Sequence, residues 1–347
     1  MFHDIHQTSK NGEHVGRTIE SMMLLNQKEA KPIKVDCRDI IRSVAFLVDG
    51  KHVMSGGREG KIRRWQVEDG EEVQVGRPMD AGSFVLSIAV SQDGKWVVSG
   101  TESGQVTVWN AESHSRVTEF QAHDGWVVAA DVLPEGTRIA TGSHSDKTAC
   151  VWSLSTRQRR LLDPLKHDFG VVVAKFSPDG RLIATGTSGR VRVYDSYDSS
   201  LLVEFPVLPR SVVGQSLAWA NDSKQLFALS SDSNIHCLDV STETTLSNWA
   251  IHSSYNPTCI ALASNGTFIA AYANGSISFW DVATREQSRS AIEHPHHVWA
   301  MAISTNYNLV VGGGMKISLW RLCDTLLPRY FDNVRVPTSK NSHEITC

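Results

Sequence analysis

Histidine, serine and aspartate, the residue types that carry much of nucleophilic catalysis, recur throughout this sequence. The local patterns that mark an active site do not surround them: the chain has no G-x-S-x-G, no H-E-x-x-H, no P-loop and no dinucleotide fingerprint. The run Gly312-Gly313-Gly314 lacks the following helix that a phosphate-binding loop needs. We therefore predict no catalytic residue, no cofactor and no enzymatic activity, and we interpret the recurring residues as a structural framework.

Three histidines in the segment His294-Pro295-His296-His297 are close enough in sequence to bind one metal ion, if their imidazoles converge. The alternative, which we favour, is a framework histidine followed by two loop residues. The six cysteines, at positions 37, 150, 237, 259, 323 and 347, show neither C-x-x-C nor regular spacing. We therefore predict no metal site and expect the reduced thiols of an intracellular protein.

Charge and hydropathy narrow the classes of partner. The 347 residues include 34 Lys+Arg against 37 Asp+Glu, a formal net charge of −3, without a basic block. Binding driven by the phosphates of nucleic acid is therefore not expected. No apolar run approaches the roughly 20 residues that a membrane-spanning helix needs, and the N-terminus lacks a basic region followed by an apolar core. We expect no membrane partner and a soluble protein of the cytoplasm, the nucleus or both.

The elements that must position these residues repeat with a nearly constant period. An alternating apolar segment ends in an anchor residue every 40 to 44 residues, and a two-residue turn precedes each anchor by 14 to 17 residues. The anchors are Trp65, Trp109, Trp152, Tyr194, Leu238, Trp280 and Trp320. The turns are Asp49-Gly50, Asp93-Gly94, Glu135-Gly136, Asp179-Gly180, Asp222-Ser223, Asn265-Gly266 and Asn306-Tyr307. Two markers in fixed phase over seven units predict a sevenfold repeat.

Each repeat has the signals of a small β-sheet. Short apolar segments flank the D-G or N-G turn, the anchor segment alternates in polarity, and a weaker, more polar segment follows it as an outer edge strand. A four-stranded sheet that is apolar on both faces needs a neighbour on each side. We therefore predict an all-β fold, a seven-bladed β-propeller of four-stranded antiparallel blades. Helical segments with a 3.6-residue period are absent, which excludes an α-solenoid.

A ring must join its first and last blades. We predict that residues 31–35 pair with the strand ending at Trp320 and so complete the seventh blade with an N-terminal strand. The alternative is that residues 322–328 supply this outer strand. The predicted domains are a flexible N-terminal segment (1–30), the propeller (31–323) and a C-terminal tail (324–347). The sequence leaves open whether the propeller stands alone or belongs to a longer polypeptide.

Over residues 31–322 the repeats resemble the WD-repeat family, whose unit runs from Gly-His through an Asp-bearing turn to Trp-Asp. In that family a His, a Ser or Thr, an Asp and the Trp form a hydrogen-bonded chain inside a blade. Only the third repeat matches fully; the second, with Ala81, and the fifth, with Arg210 and Leu238, are among the partial matches. The framework residues that the resemblance implies are His123, Thr141, Asp146, Trp152, His167, His294, Trp65, Trp109, Trp280 and Trp320.

The resemblance also implies a binding face where the inner strands begin, and hence a non-catalytic interaction scaffold. Two positions in each repeat should point to this face: the residue just inside each inner strand and the residue before the turn acid. The first set is Arg42, Leu86, Val128, Val172, Gln215, Thr258 and Trp299, and the second includes Arg58 and Glu102. The expected partner-binding residues are Arg42, Arg58, Phe84, Trp126, Gln215 and Trp299. Because Arg and Trp dominate interface energetics, we expect a protein or peptide partner, acidic or phosphorylated, bound by a monomeric propeller within a multiprotein complex. The alternatives from other classes are a quinone-dependent dehydrogenase and the substrate-recognition module of a ubiquitin ligase.

Overall fold

A computed structural model describes residues 31–37, 39–73, 79–154, 160–206, 212–230, 232–251, 259–294 and 296–331, with the backbone alone at residues 212–215, 289, 290 and 329. These residues form seven blades of four antiparallel strands arranged in a ring, as predicted. No helix among them is long and apolar enough to cross a membrane.

The strands follow the repeat unit of the sequence. Blade 1 contains β2 (Ile41–Phe46), β3 (His52–Gly57), β4 (Lys61–Gln66) and β5 (Met79–Asp80), and blade 2 contains β6 (Val85–Val90), β7 (Trp96–Thr101), β8 (Gln105–Asn110) and β9 (Arg116–Gln121). Blade 3 contains β10 (Val127–Val132), β11 (Arg138–Ser143), β12 (Thr148–Ser153) and β13 (Leu165–Lys166), and blade 4 contains β14 (Val171–Phe176), β15 (Leu182–Thr187), β16 (Arg190–Asp195) and β17 (Leu201–Pro206).

Blade 5 contains β18 (Val212–Trp219), β19 (Gln225–Ser230), β20 (Asn234–Asp239) and β21 (Thr244–Ala250), and blade 6 contains β22 (Cys259–Leu262), β23 (Phe268–Ala273), β24 (Ser276–Asp281) and β25 (Gln287–Glu293). Blade 7 contains β26 (Ala300–Ile303), β27 (Asn308–Gly313), β28 (Lys316–Arg321) and, from the N-terminal side of the chain, β1 (Ile33–Asp36). Two 3-10 helices, Leu322–Asp324 and Pro328–Tyr330, follow.

The predicted turns join the first and second strands of the blades. In blade 1 the Asp49 carboxylate accepts the Lys51 backbone N–H at 2.8 Å, and Gly50 has a φ of 62°. The second residue of the turn has a positive φ even where it is not glycine, at Ser223 and Tyr307, both with a φ of 56°. The left-handed conformation is therefore a property of the turn, and glycine is the residue that adopts it without steric cost.

The anchors fill the space between neighbouring blades. Trp109 of blade 2 lies in one buried cluster with Met54 and Ile62 of blade 1. Burying an indole in this way contributes on the order of 2–3 kcal/mol. The sheets approach so closely that a Cβ added at Gly56 would lie 2.6 Å from Cγ1 of Val85 in the next blade. The blades therefore fit face to face, each covering the apolar side of its neighbour.

An N-terminal strand closes the ring, which confirms the preferred pairing. Strand β1 pairs antiparallel with β28, with Ile33 opposite Leu319 and Asp36 opposite Lys316. Val35 is buried in the cluster shared by blades 7 and 1. Of the alternative segment, residues 322–324 form a 3-10 helix instead of an outer strand.

The residues after the last strand pack on the face opposite the first residues of the inner strands. Leu326 and Tyr330 are buried in the cluster of blades 6 and 7. The Asn265 side-chain amide donates to the backbone carbonyl of Tyr330 at 2.9 Å, and the Phe268 and Tyr330 rings meet edge to face at 5.6 Å. Residues 324–331, which the sequence assigned to a tail, are therefore joined to the propeller.

Breaking the ring closure should lower stability. Val35→Asp places a carboxylate in the core between blades 7 and 1, and we expect the free energy of unfolding to fall by at least about 3 kcal/mol. Lys34→Asp, at the exposed neighbouring position, should change it by less than about 0.5 kcal/mol. Urea denaturation followed by tryptophan fluorescence measures both, and a Val35→Asp variant as stable as Lys34→Asp would contradict the role of this strand.

Candidate functional site

In blade 3 the recurring polar residues form one hydrogen-bonded chain. The Trp152 indole N–H donates to Thr141 Oγ1 at 2.9 Å, and Thr141 Oγ1 lies 2.7 Å from His123 Nε2. His123 Nδ1 lies 2.9 Å from Asp146 Oδ2. Burial lowers the pKa of His123 although Asp146 acts in the opposite direction, so the imidazole is neutral and its Nδ1–H donates to the carboxylate. Thr141 is fully buried, so this set meets no substrate and holds the blade together.

Blades 1, 2 and 4 contain shorter versions of this chain. The indole N–H of Trp65 donates to Ser55 Oγ at 2.7 Å, and that of Trp109 donates to Ser99 Oγ at 2.9 Å. In blades 1 to 3 a hydroxyl of the second strand therefore accepts the indole N–H of the anchor. In blade 4, His167 Nε2 lies 2.9 Å from Thr185 Oγ1 and 3.3 Å from the hydroxyl of the anchor Tyr194.

Blades 6 and 7 keep the tryptophan but lack the hydroxyl. The buried Nε1 atoms of Trp280 and Trp320 have no hydrogen-bond partner among the described residues. The positions that correspond to Thr141 hold Ala271 and Val311, which cannot accept a hydrogen bond. The framework is therefore polar in blades 1–4 and incomplete in the last two blades.

The three histidines of the possible metal site do not converge. His294 is buried: its Nδ1–H donates to the carbonyl of His296 at 3.0 Å, and its Nε2 lies 3.3 Å from Ser318 Oγ. The His297 ring instead meets the Trp299 ring at 4.2 Å. Within the described ranges, no group of three His, Cys, Asp or Glu residues is arranged to hold a metal ion.

A pocket of about 420 Å³ lies at the mouth of the ring, where the inner strands begin. The second residue of each inner strand in blades 1 to 4 lines this pocket. Trp299, directly before β26, lines it from blade 7. The lining residues are Ile40, Arg42, Phe84, Leu86, Glu102, Trp126, Val128, His144, Val172 and Trp299. The pocket is therefore mostly apolar, with a cation, an acid and a histidine among its lining residues.

Arg42 and Trp299 form a stacked pair in this pocket. The Arg42 guanidinium carbon lies 4.3 Å from the centre of the Trp299 ring, within the range of a cation–π contact. Burial lowers the pKa of Arg42, but an arginine side chain stays charged at neutral pH. Burial and, secondarily, Arg42 lower the pKa of the neighbouring His297. Within the described part of the chain no carboxylate forms an ion pair with Arg42, so the pocket holds a partly desolvated cation.

The structure brings most of the expected partner-binding residues together. Arg42, Phe84, Trp126 and Trp299 line the pocket. Arg58 does not line it: this residue is exposed in the turn after β3, where its backbone N–H donates to the carbonyl of Ile40 at 3.1 Å. The side chain of Gln215 lies outside the described residues.

Two lining residues, Ile40 and His144, escaped the sequence analysis. His144 occupies in blade 3 the place that Arg58 and Glu102 occupy in blades 1 and 2, at the start of the turn between the second and third strands. The blade 3 turn is one residue longer, which shifts His144 away from the position directly before the turn acid. Counted from the end of the preceding strand instead of from the acid, His144 has the same position as Arg58 and Glu102, and this signal could have identified it.

Comparison with known proteins identifies the family to which the repeats belong. A sequence model described as "WD domain, G-beta repeat" matches residues 31–66, 76–110, 114–153, 160–195 and 243–281, more than half of the chain. The chain belongs to the WD40 family. Each matched segment begins with, or just before, the outer strand of one blade and ends in the third strand of the next, so the first WD40 match includes β1.

A solved structure, "Crystal structure of WD40 beta propeller domain of Doa1", has the same fold. Its TM-score is 0.72 at 19% sequence identity, and the alignment covers 84% of this chain and 97% of that chain. No curated protein matches the sequence. WD40 propellers are generally not enzymes, and the fold is consistent with a protein-interaction scaffold.

Restoring the missing hydroxyl in the last WD40 blade should stabilise it. Val311→Thr supplies an acceptor for the Trp320 indole N–H, and we expect the free energy of unfolding to rise by about 0.5–1 kcal/mol. Val310→Thr is the matched control, because Val310 is equally buried but faces the other side of the blade. Val310→Thr should lower the free energy of unfolding by about 1–2 kcal/mol, since it buries a hydroxyl that no indole N–H can reach. If chemical denaturation shows equal effects of the two substitutions, the missing hydrogen-bond acceptor for Trp320 does not limit the stability of this blade.

The buried histidines should make the propeller sensitive to acid. Burial, with a smaller effect of Arg192, lowers the pKa of His167 from 6.5 to about 4. Between these values the unfolded chain binds a proton that the folded chain does not, so stability is full above pH 6.5 and falls as the pH drops towards 4. His167 alone should contribute a loss of about 3 kcal/mol. In urea titrations at several pH values, His167→Gln should show a shallower decline, and an unchanged pH slope would refute this assignment.

Proposed function

We propose that the protein is a non-catalytic interaction scaffold whose mouth pocket binds an acidic or phosphorylated segment of a partner protein. One observation carries the proposal: Arg42, a cation without a carboxylate partner among the described residues, is stacked at 4.3 Å on Trp299 in an otherwise mostly apolar pocket. A partly buried guanidinium that packs on an indole has already lost much of its side-chain freedom, so orienting its N–H donors costs little further entropy. It is therefore prepared to pair with a carboxylate or a phosphate.

The walls of the pocket favour a peptide over a free ion. Phe84 and Trp126 stand on one side, while Leu86, Val128 and Val172 line its floor. These side chains gain free energy only from an apolar partner group that displaces water, which a small anion does not provide. The combination of an aromatic wall and a single cation matches a short segment with an anionic residue next to an apolar one.

The proposal includes a monomeric propeller that acts within a larger assembly inside the cell. The closed ring of blades covers its own sheet faces, so the fold does not need a second copy. Cys37 and Cys150 are buried free thiols, and burial raises the pKa of Cys37 to about 12 and that of Cys150 to about 11. Such thiols remain protonated and unreactive, as expected for structural residues in a reducing compartment.

A peptide selection tests the pocket directly. The full chain is immobilised and used to select from a displayed library of random 12-residue peptides, and the best peptide is then titrated by calorimetry. We expect an acidic residue to be enriched and Arg42→Gln to weaken binding at least about tenfold, in the range of a hot-spot residue. Arg181→Gln removes the same charge on the opposite face and should leave the affinity unchanged.

Two further peptides distinguish the anions. Replacing the enriched acidic residue by phosphoserine should retain or strengthen binding, and replacing it by serine should abolish the Arg42 dependence. Circular dichroism melting confirms that each variant is folded. Selection of no peptide, or equal binding by wild type, Arg42→Gln and Arg181→Gln, would overturn the proposal.

A further inference from the structure

Aromatic side chains continue beyond the pocket along the mouth of the ring. Trp126, which lies directly before β10, is 48% exposed. Phe169, two residues before β14 in the next blade, is 52% exposed and does not line the pocket. Exposing two large rings on adjacent loops of the same face is unfavourable in water, and such patches mark interaction surfaces.

His144 lies between the two loops that carry these rings. Its backbone N–H donates to the carbonyl of Trp126 at 3.3 Å, so the His144 turn is tied to the Trp126 loop. Its side chain also presses on the loop of Phe169, because a Cβ added at Gly170 would lie 2.5 Å from His144 Cδ2. His144 itself lines the pocket, so it lies between the pocket and the loop that carries Phe169.

The loop of Phe169 is held in place by charge. Asp168, directly before it, accepts a hydrogen bond from Arg192 Nη2 at 3.3 Å, and the Arg192 Nε donates to Glu204 at 2.5 Å. The carboxylate next to Phe169 is therefore already paired with an arginine of its own blade. The cation without such a partner, Arg42, lies at the other end of the surface, so the two ends differ in chemistry: one is charged and the other is apolar.

We propose that the partner segment lies across the mouth from Arg42 and Trp299 to Phe169, and that it carries an anionic residue at the first end and a large apolar side chain at the second. This proposal rests on the proposed function, since it extends the same pocket to the loop before β14 that carries Phe169. The name mouth strip denotes this surface of Arg42, Trp299, Trp126, His144 and Phe169. An extended segment of 12 residues reaches up to about 40 Å, so a peptide of this length is able to follow it.

The peptides selected from the 12-residue library test the mouth strip. Wild type should enrich both an acidic residue and, at a constant spacing from it, a large apolar residue. Phe169→Ala should weaken binding of such a peptide at least about fivefold, and replacing the apolar residue of the peptide by alanine should have the same effect. The two changes together should cost no more than either one, because they remove the same contact.

Leu201→Ala is the matched control. Leu201 is 51% exposed in the outer strand of the same blade, far from the mouth, so its truncation should leave the affinity unchanged. Peptides that depend on Arg42 but bind Phe169→Ala as tightly as wild type would overturn the mouth strip while leaving the proposed function intact. Failure to select any peptide would overturn both.

Discussion

Contact between neighbouring blades is the interaction on which the rest of the structure depends. A four-stranded blade that is apolar on both sides has no stable form in isolation. The close approach seen between blades 1 and 2 recurs at the last junction, where a Cβ added at Gly312 would lie 2.7 Å from Cγ1 of Val44. This junction joins the seventh blade to the first, so the sheet faces of the described blades cover one another around the ring. Strand β1 adds the fourth strand of the seventh blade by pairing with β28.

The same ring produces the mouth and separates its chemistry from that of the framework. Histidine, threonine and tryptophan within blade 3 use their polar atoms on one another and are buried. At the mouth, by contrast, Arg42 and Trp299 come from opposite ends of the sequence and meet because blade 7 adjoins blade 1. Polar groups inside the blades therefore stabilise the fold, whereas those at the mouth remain free for a partner.

Much of this architecture could be predicted because it follows from local chemistry that repeats. Turns with a left-handed residue and anchors at a constant period identify the blades, and the repeated position at the start of each inner strand identifies Arg42 and Trp299. His144 and Phe169 could not be predicted because their positions depend on loops of unequal length. The packing of Tyr330 could not be predicted either, since a single aromatic residue after the last repeat has no periodic neighbour that would reveal its burial. Contacts made once, between loops or beyond the repeats, leave no pattern in a sequence.

The pairing of β1 with β28 also determines how the ring responds to force. Ile33 lies opposite Leu319, so the start of β1 and the end of β28 are at the same end of the ladder. Tension applied between these two points would load the hydrogen bonds one after another, as in a zipper, instead of shearing them all at once. The pairing that completes the circle is thus the place where a pull on the flanking chain would open the ring first, whereas the chain after β28 is also tied to blade 6 through the hydrogen bond from Asn265 to the Tyr330 carbonyl.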